Sequence, residues 1–351
     1  MSNRIKPSLI VGGAGFIGSN LAMRLCSDGQ RVVIYDDLSR AGSEKNLDFL
    51  QAKFETQIDV RIVDILDCHS LIQAVKDTSS IFHLAAQVAV TNSLKDPFRD
   101  FEINALGTLN LLEILRKERT QNPLVFVSTN KVYGSLRSVD LMVASTRNVP
   151  SDITILENGF SEQMELCFET PYGCSKAVAD QYVIEYCRSY GINAVVLRLS
   201  CTYGCHQNGN EDQGWVTHFL ANAILEKEIH IYGNGKQVRD LLFVEDLVDA
   251  LLISREKIKM LRGQAFNIGG GPKNSVSLIE IVELIGRIHK KKSSVRYFEK
   301  RLSDQDYYVS DSRKFSSLTG WSNKTGFKEG ILAVYNWLRT ANNQEIIKQL
   351  V

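Results

Sequence analysis

The sequence predicts a doubly wound parallel α/β sheet followed by a smaller α+β lobe at the C-terminal end. Short apolar segments alternate with amphipathic segments through the first half of the chain, and a glycine-rich turn follows the first of them. Strands separated by helices pair in parallel through right-handed crossovers, which produces one sheet with helices on both faces. After Leu199 the alternation becomes irregular, which favours a separate lobe of mixed helices and strands.

The strands of the predicted sheet are spaced widely enough for a helix between successive strands. The first strand leads through the glycine turn into a helix that ends near Ser27. Residues 135–170 are polar and rich in serine and threonine, so we expect a long loop there beside the active site. We place the strands at residues 8–11, 31–35, 60–63, 80–84, 124–128 and 194–197.

The composition is that of an ordinary globular protein and excludes two classes of partner. The 351 residues include 41 Lys and Arg against 40 Asp and Glu, so no bulk basic field indicates a nucleic acid. No apolar stretch approaches the ~20 residues that a membrane span needs. The N-terminus, MSNRIKPSLIVGG, lacks the long apolar core of a secretion signal. We therefore expect a cytoplasmic protein without a membrane segment.

The cysteines give no sign of a disulfide framework or a metal site. They number seven and are scattered, which indicates reduced thiols in a cytosolic protein. Cys201 and Cys205 are the closest pair, and no second pair or histidine cluster completes a zinc site. We expect no metal.

A glycine turn between the first strand and its helix predicts a dinucleotide site. The stretch LIVGGAGFIGSN contains Gly12, Gly15 and Gly18. Glycine lets the backbone approach a pyrophosphate closely, and the helix N-terminus offers unpaired N–H groups and the positive end of its dipole. Asp36 ends the next strand, where a carboxylate accepts from a ribose 2′-OH and repels a 2′-phosphate. The sequence predicts a Rossmann-type fold that prefers NAD to NADP, although the nearby Arg40 weakens that preference.

Other residues at strand ends have competing interpretations. Asp64 is placed to meet the adenine, but aspartate is equally favoured as a helix N-cap. His83 in FHLAAQ lies on an apolar strand and is interpreted as a packed core histidine. The backbone and small side chains that follow it are expected to form the cofactor wall, at Leu84, Ala85 and Ala86.

Tyr172 and Lys176, in YGCSK, suit proton transfer. They are four residues apart at the start of a predicted helix and therefore lie on one helix face. A phenol has a pKa near ~10, and we expect a neighbouring ammonium and the nicotinamide charge to lower it toward neutrality. Tyr172 would then take a hydroxyl proton while hydride leaves the same carbon. Ser128 and Thr129 end the preceding strand, and Thr129 is placed to donate a hydrogen bond to the substrate oxygen.

These features together resemble the extended short-chain dehydrogenase/reductase family, and in particular its nucleotide-sugar epimerases and dehydratases. Besides GGAGFIG and YGCSK, the resemblance includes LKDPFRDFEINALGTLNLLE, KQVRDLLFVEDLVDALL and FNIGGG, and it covers nearly the whole chain. It implies an NAD-binding Rossmann domain at residues 1–198 and 239–265, and a nucleotide-sugar-binding domain at residues 199–238 and 266–351. It also implies a homo-oligomer, a dimer or a tetramer, because the long helices beside the sheet commonly pair in this family.

The resemblance assigns residues to catalysis, cofactor and substrate. Among the substrate residues, Arg239 and Arg301 suit a diphosphate because a planar guanidinium makes paired bonds to phosphate oxygens. The implied catalytic residues are Thr129, Tyr172 and Lys176. The implied cofactor residues are Gly12, Gly15, Phe16, Ile17, Gly18, Asp36, Asp37, Ser39, Arg40, Asp64, Ile65, Leu84, Ala85, Ala86, Gln87, Asn104, Ser128, Tyr172 and Lys176. The implied substrate residues are Gln87, Asn130, Lys131, Cys201, Gln213, Gly214, Trp215, Val216, Tyr232, Arg239, Arg301 and Asp304.

The stretch STNKVYG distinguishes two reactions within that family. Members that eliminate water across C5 and C6 of the sugar have threonine followed by an Asp-Glu pair, which acts as acid and base. Here the two positions are Asn130 and Lys131. Asparagine cannot serve as a general acid, and lysine does not supply the missing carboxylate. A 4,6-dehydratase is therefore disfavoured, while hydride transfer remains possible.

Several stretches, including STNKVYG, TPYGCSKAVADQY and DQGWV, are most similar to the CDP-tyvelose (CDP-paratose 2-) epimerases. This similarity implies an isomerase of lipopolysaccharide O-antigen biosynthesis that inverts C2 of a CDP-hexose through a 2-ketone, with tightly held NAD. Cys201 and His206 depart from the asparagine and arginine of many family members, which leaves the base and the sugar open. Trp215 is equally suited to the core, and Tyr232 is either a base contact or an ordinary strand aromatic.

Three alternatives remain open. A UDP-sugar 4-epimerase shares the same catalytic set and differs in how the sugar sits over the nicotinamide. A net dehydrogenase or reductase would exchange its cofactor at each turnover. A non-catalytic NAD-binding regulator would share the fold, although the retention of Tyr172, Lys176 and Thr129 together argues against it.

Overall fold

The computed structural model describes residues 6–340, which form two compact units. The first unit contains the described part of Met1–Thr129, with Thr170–Arg198 and Val248–Phe266. The second contains Asn130–Glu169, Leu199–Leu247 and the described part of Asn267–Val351. These units differ from the predicted domain boundaries, because residues 130–169 and 239–247 belong to the second unit and not to the first.

Strands and helices alternate through the first unit, as the apolar pattern predicts. The strands are β1 (Ser8–Val11), β2 (Val32–Asp36), β3 (Ile58–Ile62), β4 (Ser80–His83), β5 (Leu124–Thr129), β6 (Leu141–Val143), β7 (Asn148–Pro150), β8 (Ala194–Leu199), β9 (Cys201–Tyr203), β10 (Ile229–Tyr232), β11 (Val238–Phe243), β12 (Ala265–Ile268), β13 (Ser275–Ser277), β14 (Val295–Phe298) and β15 (Tyr307–Tyr308). The α-helices are α1 (Phe16–Ser27), α2 (Ser43–Phe54), α3 (Cys68–Asp77), α4 (Val90–Lys95), α5 (Pro97–Phe101), α6 (Gly107–Lys117), α7 (Ile153–Asn158), α8 (Thr170–Tyr190), α9 (Trp215–Ile224), α10 (Val244–Glu256), α11 (Ile258–Leu261), α12 (Leu278–His289), α13 (Arg313–Thr319) and α14 (Phe327–Leu338). A π-helical turn lies at Glu102–Leu106, and 3₁₀ turns lie at Asn130–Tyr133 and Pro272–Asn274.

A seven-stranded sheet organises the first unit, in the order β12-β8-β5-β4-β1-β2-β3. From β1 the chain adds β2 and β3 on one side and β4, β5, β8 and β12 on the other, which confirms the doubly wound prediction. The pairs β1–β2, β1–β4, β2–β3 and β4–β5 are parallel. Parallel strands bring their carboxyl ends to one edge, which is where such sheets bind ligands.

The sequence analysis located six of these strands to within two residues and missed β12. That strand is short, and its apolar pattern is interrupted by Asn267, which is fully buried. It follows β8 only after a long excursion of the chain through the second unit. Because pattern recognition depends on runs of apolar residues, a four-residue strand with a polar residue inside it gives little signal.

Apolar side chains on one face of the sheet form a core cluster of the first unit. Leu9, Val33 and Phe126 on strands are 1% exposed or less. They belong to one cluster with Leu111 of α6 and Val183 of α8. At about 25 cal/mol per Å² of apolar surface removed from water, this packing is the main force that holds α6 and α8 against the sheet. The start of α8 is thereby fixed beside the carboxyl ends of the strands.

The second unit contains several small sheets. Strand β11 pairs with β9 and β15 in parallel and with β13 antiparallel, and β10 pairs with β14 in parallel. Residues 135–170, predicted to be a loop, instead include the antiparallel pair β6–β7 and the helix α7. Strands of three residues are too short to show a period in a polar sequence, which explains the error.

The described residues contain neither a membrane-spanning helix nor a cluster of metal-ligating side chains. No helix within residues 6–340 is long and apolar enough to cross a membrane. In the same part of the chain, no group of three or more His, Cys, Asp or Glu is placed to hold a metal ion.

A buried ion pair joins α8 to the neighbouring strand β8. Arg198 donates from Nε and from a terminal nitrogen to the two oxygens of Asp180, at 2.9 and 2.8 Å. The side chains are 5% and 0% exposed. Bidentate geometry directs both bonds, and each charge compensates the other in a site from which water is excluded.

We predict that Asp180→Ala destabilises the first unit strongly. The change leaves Arg198 buried and uncompensated, which costs about 3–5 kcal/mol in the free energy of unfolding. The measurement is urea unfolding followed by circular dichroism. Glu185→Ala, which breaks the exposed pair with Arg188 on the same helix, is the control and should cost less than about 1 kcal/mol. Equal losses in the two variants would contradict the assignment.

Candidate active site

Strand β5 and helix α8 bring Thr129 and Tyr172 together in the first unit. Thr129 is the last residue of β5, and Tyr172 lies in the first turn of α8. The two side chains share a hydrogen bond, and Tyr172 is 8% exposed. The phenol and the hydroxyl at the strand end are therefore close together in the first unit.

Lys176 lies one turn further along α8 and is almost completely buried, at 4% exposed. Its Nζ donates to the carbonyl oxygen of Val127 at 2.7 Å and lies 4.5 Å from the centre of the Phe126 ring. A cation over an aromatic face is attracted by the ring quadrupole, so β5 holds the ammonium by two different interactions. The helical repeat of 3.6 residues places Lys176 on the same face of α8 as Tyr172.

Burial changes the proton affinity of both groups. It raises the pKa of Tyr172 to about 12, against the lowering effects of the Thr129 hydrogen bond and the Arg40 charge. It lowers the pKa of Lys176 to about 8. The expectation that the pKa of Tyr172 falls toward neutrality is not met by the protein alone, because desolvation of the phenolate outweighs the nearby positive charge.

The glycine turn leaves the start of α1 open for an anion. Gly12 has φ +85°, and a Cβ there would lie 2.5 Å from the Ala85 nitrogen, while a Cβ on Gly18 would lie 2.2 Å from the Gly12 oxygen. The turn is therefore packed too closely for side chains. Gly15 caps α1 without a side-chain hydrogen bond, so no side chain occupies the positive end of the helix. This arrangement fits a pyrophosphate.

The carboxylate of Asp36 closes the same turn from the end of β2. It accepts from the backbone N–H groups of Ala14 at 3.0 Å and Leu38 at 2.9 Å. Asp37 next to it accepts from the N–H and the hydroxyl of Ser39, at 3.0 and 2.6 Å. A carboxylate has about four acceptor positions. Asp36 therefore keeps acceptor capacity for a ribose hydroxyl.

Asp64 is not a helix N-cap, which removes one of its two interpretations. Asp67 caps α3 instead and accepts from His69 and Ser70 N–H groups. Asp64 accepts from Leu66 N at 3.0 Å and from Arg99 at 2.7 Å, and the arginine holds the carboxylate in a fixed orientation.

The residues after β4 form a wall beside the glycine turn. The N–H groups of Leu84 and Ala85 both donate to the Val11 oxygen at 2.8 Å. His83 is 1% exposed, as predicted for a core histidine, and its Nε2 lies 3.0 Å from the Thr108 hydroxyl. Burial lowers the pKa of His83 to about 3, so the ring is neutral. Ile65, also assigned to the cofactor, is 5% exposed and belongs to the core cluster.

An unsatisfied hydroxyl lies between the wall and the catalytic residues. The Oγ of Ser128 is buried and has no hydrogen-bond partner among the described residues. Buried polar groups are normally hydrogen-bonded, so an unpaired one needs an explanation. A bound cofactor or substrate would supply the missing partner, which adds to the fit of this unit to a dinucleotide.

In the second unit, Asp304 joins two cations that were assigned to the substrate. Arg239 donates to the Asp304 carboxylate at 2.6 Å, and the Lys131 nitrogen lies 3.7 Å from the same oxygen. Lys131 also reaches the Ser303 carbonyl at 3.4 Å, and burial lowers its pKa to about 8. Two cations around one carboxylate leave a net positive site, which suits an anionic ligand.

Tyr232 and Arg301 form a second cluster in the same unit. The guanidinium of Arg301 lies 4.0 Å from the centre of the Tyr232 ring and forms an ion pair with Asp212 at 3.2 Å. Phe298 stacks on Tyr232 with ring centres 5.4 Å apart. Tyr232 is thus part of an aromatic and cationic cluster and is more than an isolated strand aromatic.

The predicted sugar-pocket residues separate into two groups. Trp215 is partly buried and donates from Nε1 to the Cys201 sulfur at 3.1 Å. The side-chain oxygen of Gln213 is buried without a partner among the described residues, and Gly214 adopts the left-handed conformation that caps α9. Val216, in contrast, is 1% exposed, and its side chain packs in the core of the unit.

Comparison with known proteins identifies the family. A family model described as GDP-mannose 4,6 dehydratase matches residues 9–334. The chain belongs to this family. It is 41% identical over 337 residues to a CDP-paratose 2-epimerase of Salmonella typhi, with 94% of this chain and 98% of the relative covered. A putative UDP-glucose 4-epimerase of Methanocaldococcus jannaschii is 31% identical, covering 95% of this chain and 99% of the relative.

Solved structures agree with the assignment. A UDP-glucose 4-epimerase of Thermus thermophilus, in complex with NAD, superposes with a TM-score of 0.79 at 28% identity. The match covers 95% of this chain and 99% of that structure. The predicted resemblance to the extended short-chain dehydrogenase/reductases, and the predicted fold, are both confirmed.

Sequence reasoning missed three side chains of the first unit. Asp100 and Ser175 are buried beside Asn104, and Arg99 holds Asp64. All three lie in stretches that carry the family resemblance, but a charged residue on a helix is normally read as solvated. The usable signal was the spacing of four between Asp100 and Asn104, which places both on one helix face.

Proposed function

We propose that this protein is an NAD-dependent nucleotide-sugar epimerase that inverts C2 of a CDP-hexose of the paratose and tyvelose type. The observation that carries the proposal is the phenol of Tyr172, hydrogen-bonded to Thr129, with the buried ammonium of Lys176 on the same helix face. These groups suit removal of a hydroxyl proton. They do not include the Asp-Glu pair that serves a dehydratase as acid and base. The 41% identity to a CDP-paratose 2-epimerase supports the choice of substrate.

The residues divide the proton chemistry between them. When bound, the cofactor supplies a hydride acceptor that later returns the hydride to the opposite face of the sugar ketone. Tyr172 takes the C2 hydroxyl proton and gives it back, Thr129 holds the phenol oxygen, and Lys176 places a fixed positive charge beside the developing phenolate. The reaction is redox-neutral because the same hydride leaves and returns.

Cofactor binding is proposed for the glycine turn and its surroundings. The uncapped start of α1, the Asp36 carboxylate and the unpaired Ser128 hydroxyl fit a dinucleotide with a free ribose 2′-OH. The NAD complex of the related UDP-glucose 4-epimerase supports this choice. Within the assigned cofactor set, Phe16, Ile17 and Gly18 contribute the first N–H groups of the helix.

Asn130 and Lys131 explain why elimination is not the reaction. Asn130 donates to Gln305 at 3.4 Å, and Lys131 pairs with Asp304. Neither supplies a carboxylate, so a C5 proton has no base and the C6 hydroxyl has no acid. Both side chains instead connect the turn after β5 to residues 303–305.

The second candidate is a UDP-sugar 4-epimerase. It has the same catalytic set, and a relative of that name is 31% identical. We rank it below the CDP-sugar enzyme because ten more residues in every hundred match the 2-epimerase.

We further propose a cytoplasmic homo-oligomer that acts in lipopolysaccharide O-antigen biosynthesis.

Proton NMR of the products tests this proposal. The purified protein is incubated separately with CDP-paratose, CDP-glucose and UDP-galactose, while absorbance reports any reduced cofactor. Inversion at C2 of a CDP-sugar without accumulation of reduced cofactor is expected. Inversion at C4 of UDP-galactose alone would select the second candidate, and turnover of none of the three would overturn the substrate assignment.

We predict that Tyr172→Phe loses activity by about 10²- to 10⁴-fold, because removal of a general base costs that much. Bound NAD, measured by absorbance after denaturation, should stay at the level of the unchanged protein. Tyr182→Phe, at an exposed position on the same helix, is the matched control and should keep full activity. Full activity in Tyr172→Phe would favour a base other than the phenol.

We also predict that kcat falls as pH rises above about 8, the pKa of Lys176. Below that value the side chain is charged and stabilises the phenolate, and above it the charge is lost. Lys131 has a pKa of about 8 as well, so Lys131→Gln is the control and should leave the pH of this fall unchanged. If the alkaline fall in kcat disappears in Lys131→Gln, the titrating group is Lys131 of the second unit and not Lys176.

A further inference from the structure

Four charged side chains of the first unit are buried among the residues that the structure describes. They are Lys176 and Arg198, each 4% exposed, and Asp180 and Asp100, each 0% exposed. Asp180 and Arg198 form the bidentate pair that joins α8 to β8. Lys176 and Asp100 are left, one cation and one anion, and neither is part of an ion pair within residues 6–340.

Asp100 is held by three neutral donors. Its carboxylate accepts from the hydroxyl of Ser175 at 2.5 Å, the side-chain amide of Gln87 at 2.8 Å and the side-chain amide of Asn104 at 3.2 Å. The π-helical turn at Glu102–Leu106 carries Asn104, which also donates to Ser175 at 3.0 Å. Neutral donors satisfy the oxygen lone pairs but leave the charge of a buried carboxylate uncompensated.

Lys176 interacts electrostatically with two carboxylates, Asp180 on its own helix and Asp100 on α5. The charge of Asp180 is already balanced by Arg198. Other groups packed around Lys176 carry no charge: the Phe126 ring, the Val127 carbonyl and the neutral His83. Asp100, which is bonded to the neighbouring Ser175, is therefore the uncompensated anion that acts electrostatically on the uncompensated Lys176.

Asp100 also acts electrostatically on the phenol of Tyr172. The charged groups that act on its phenol are Asp100 and Arg40. Ser175, which bonds Asp100, also lies 3.2 Å from the Tyr172 carbonyl oxygen. One carboxylate thus connects with the turn of α8 that carries both Tyr172 and Lys176.

We propose that Asp100 is a positioning residue that acts as the buried counter-ion of Lys176 and, through Ser175, fixes the turn of α8 between the two catalytic side chains. The importance of Asp100 for turnover rests on the proposed function, but the electrostatic interaction between Asp100 and Lys176 does not.

The Asp100→Asn variant removes the charge and keeps the shape. The amide oxygen can still accept from Gln87 and Asn104. The amide nitrogen can donate to the Ser175 oxygen, whose own proton then turns to the Tyr172 carbonyl. Ser175→Ala is the matched control, because it removes one hydrogen bond of Asp100 and leaves the charge in place.

The test is an NMR titration of the full-length protein as purified, with lysine labelled with carbon-13 at the ε position and the Lys176 signal identified by its absence in Lys176→Arg. The unchanged protein should titrate with a Lys176 pKa of about 8. In Asp100→Asn the midpoint should fall by roughly one pH unit, because loss of an opposite charge disfavours the ammonium. In Ser175→Ala it should stay in place.

An unchanged midpoint in Asp100→Asn, or an equal fall in Ser175→Ala, would overturn the proposal. Asp100→Ser, a smaller uncharged side chain, repeats the measurement if the asparagine variant does not fold. The alkaline fall in kcat should move to lower pH with the midpoint. The titration needs no substrate. If the Lys176 midpoint shifts in Asp100→Asn but the protein turns over none of the nucleotide sugars, Asp100 is still the counter-ion and the proposed reaction is wrong.

Discussion

The proposed chemistry depends on one constraint, which is that the ammonium of Lys176 is almost completely buried. Lys176 is held by a carbonyl oxygen and an aromatic ring of β5, and burial lowers its pKa to about 8. Core packing fixes α8 against the sheet, Asp180 and Arg198 compensate each other's charge, and Thr129 at the end of β5 shares a hydrogen bond with Tyr172.

The two residues that follow Thr129 in the sequence disfavour elimination under the proposed function. Thr129 ends its strand in the first unit, and Asn130 and Lys131 start the 3₁₀ turn that follows. Their side chains bond Gln305, Ser303 and Asp304 and offer no carboxylate. Under the proposed function, the phenol, the hydroxyl and the ammonium serve hydride transfer, and the missing carboxylates disfavour elimination.

Much of the fold and of the candidate site was predictable because it depends on patterns among residues that are close together in the sequence. Six strands, the glycine turn and the Tyr172–Lys176 spacing follow from apolar runs, from the need for glycine at a close backbone approach, and from the helical repeat. Other features depend on contacts between distant parts of the chain. The burial of Asp100 beside Ser175, the strand β12 and the core position of Val216 are of this kind. The raised pKa of Tyr172 in the protein alone is also of this kind, since desolvation cannot be read from neighbouring residues.

The most direct measurement of the central claim follows an isotope through the reaction. CDP-paratose with deuterium at C2 is incubated with the protein in ordinary water, and the product is examined by NMR and mass spectrometry. The account predicts an epimerised product that keeps deuterium at C2, because a hydride leaves that carbon and returns to it on the opposite face. A product with ordinary hydrogen at C2 would contradict it, because exchange with water means that a proton leaves the carbon instead of a hydride.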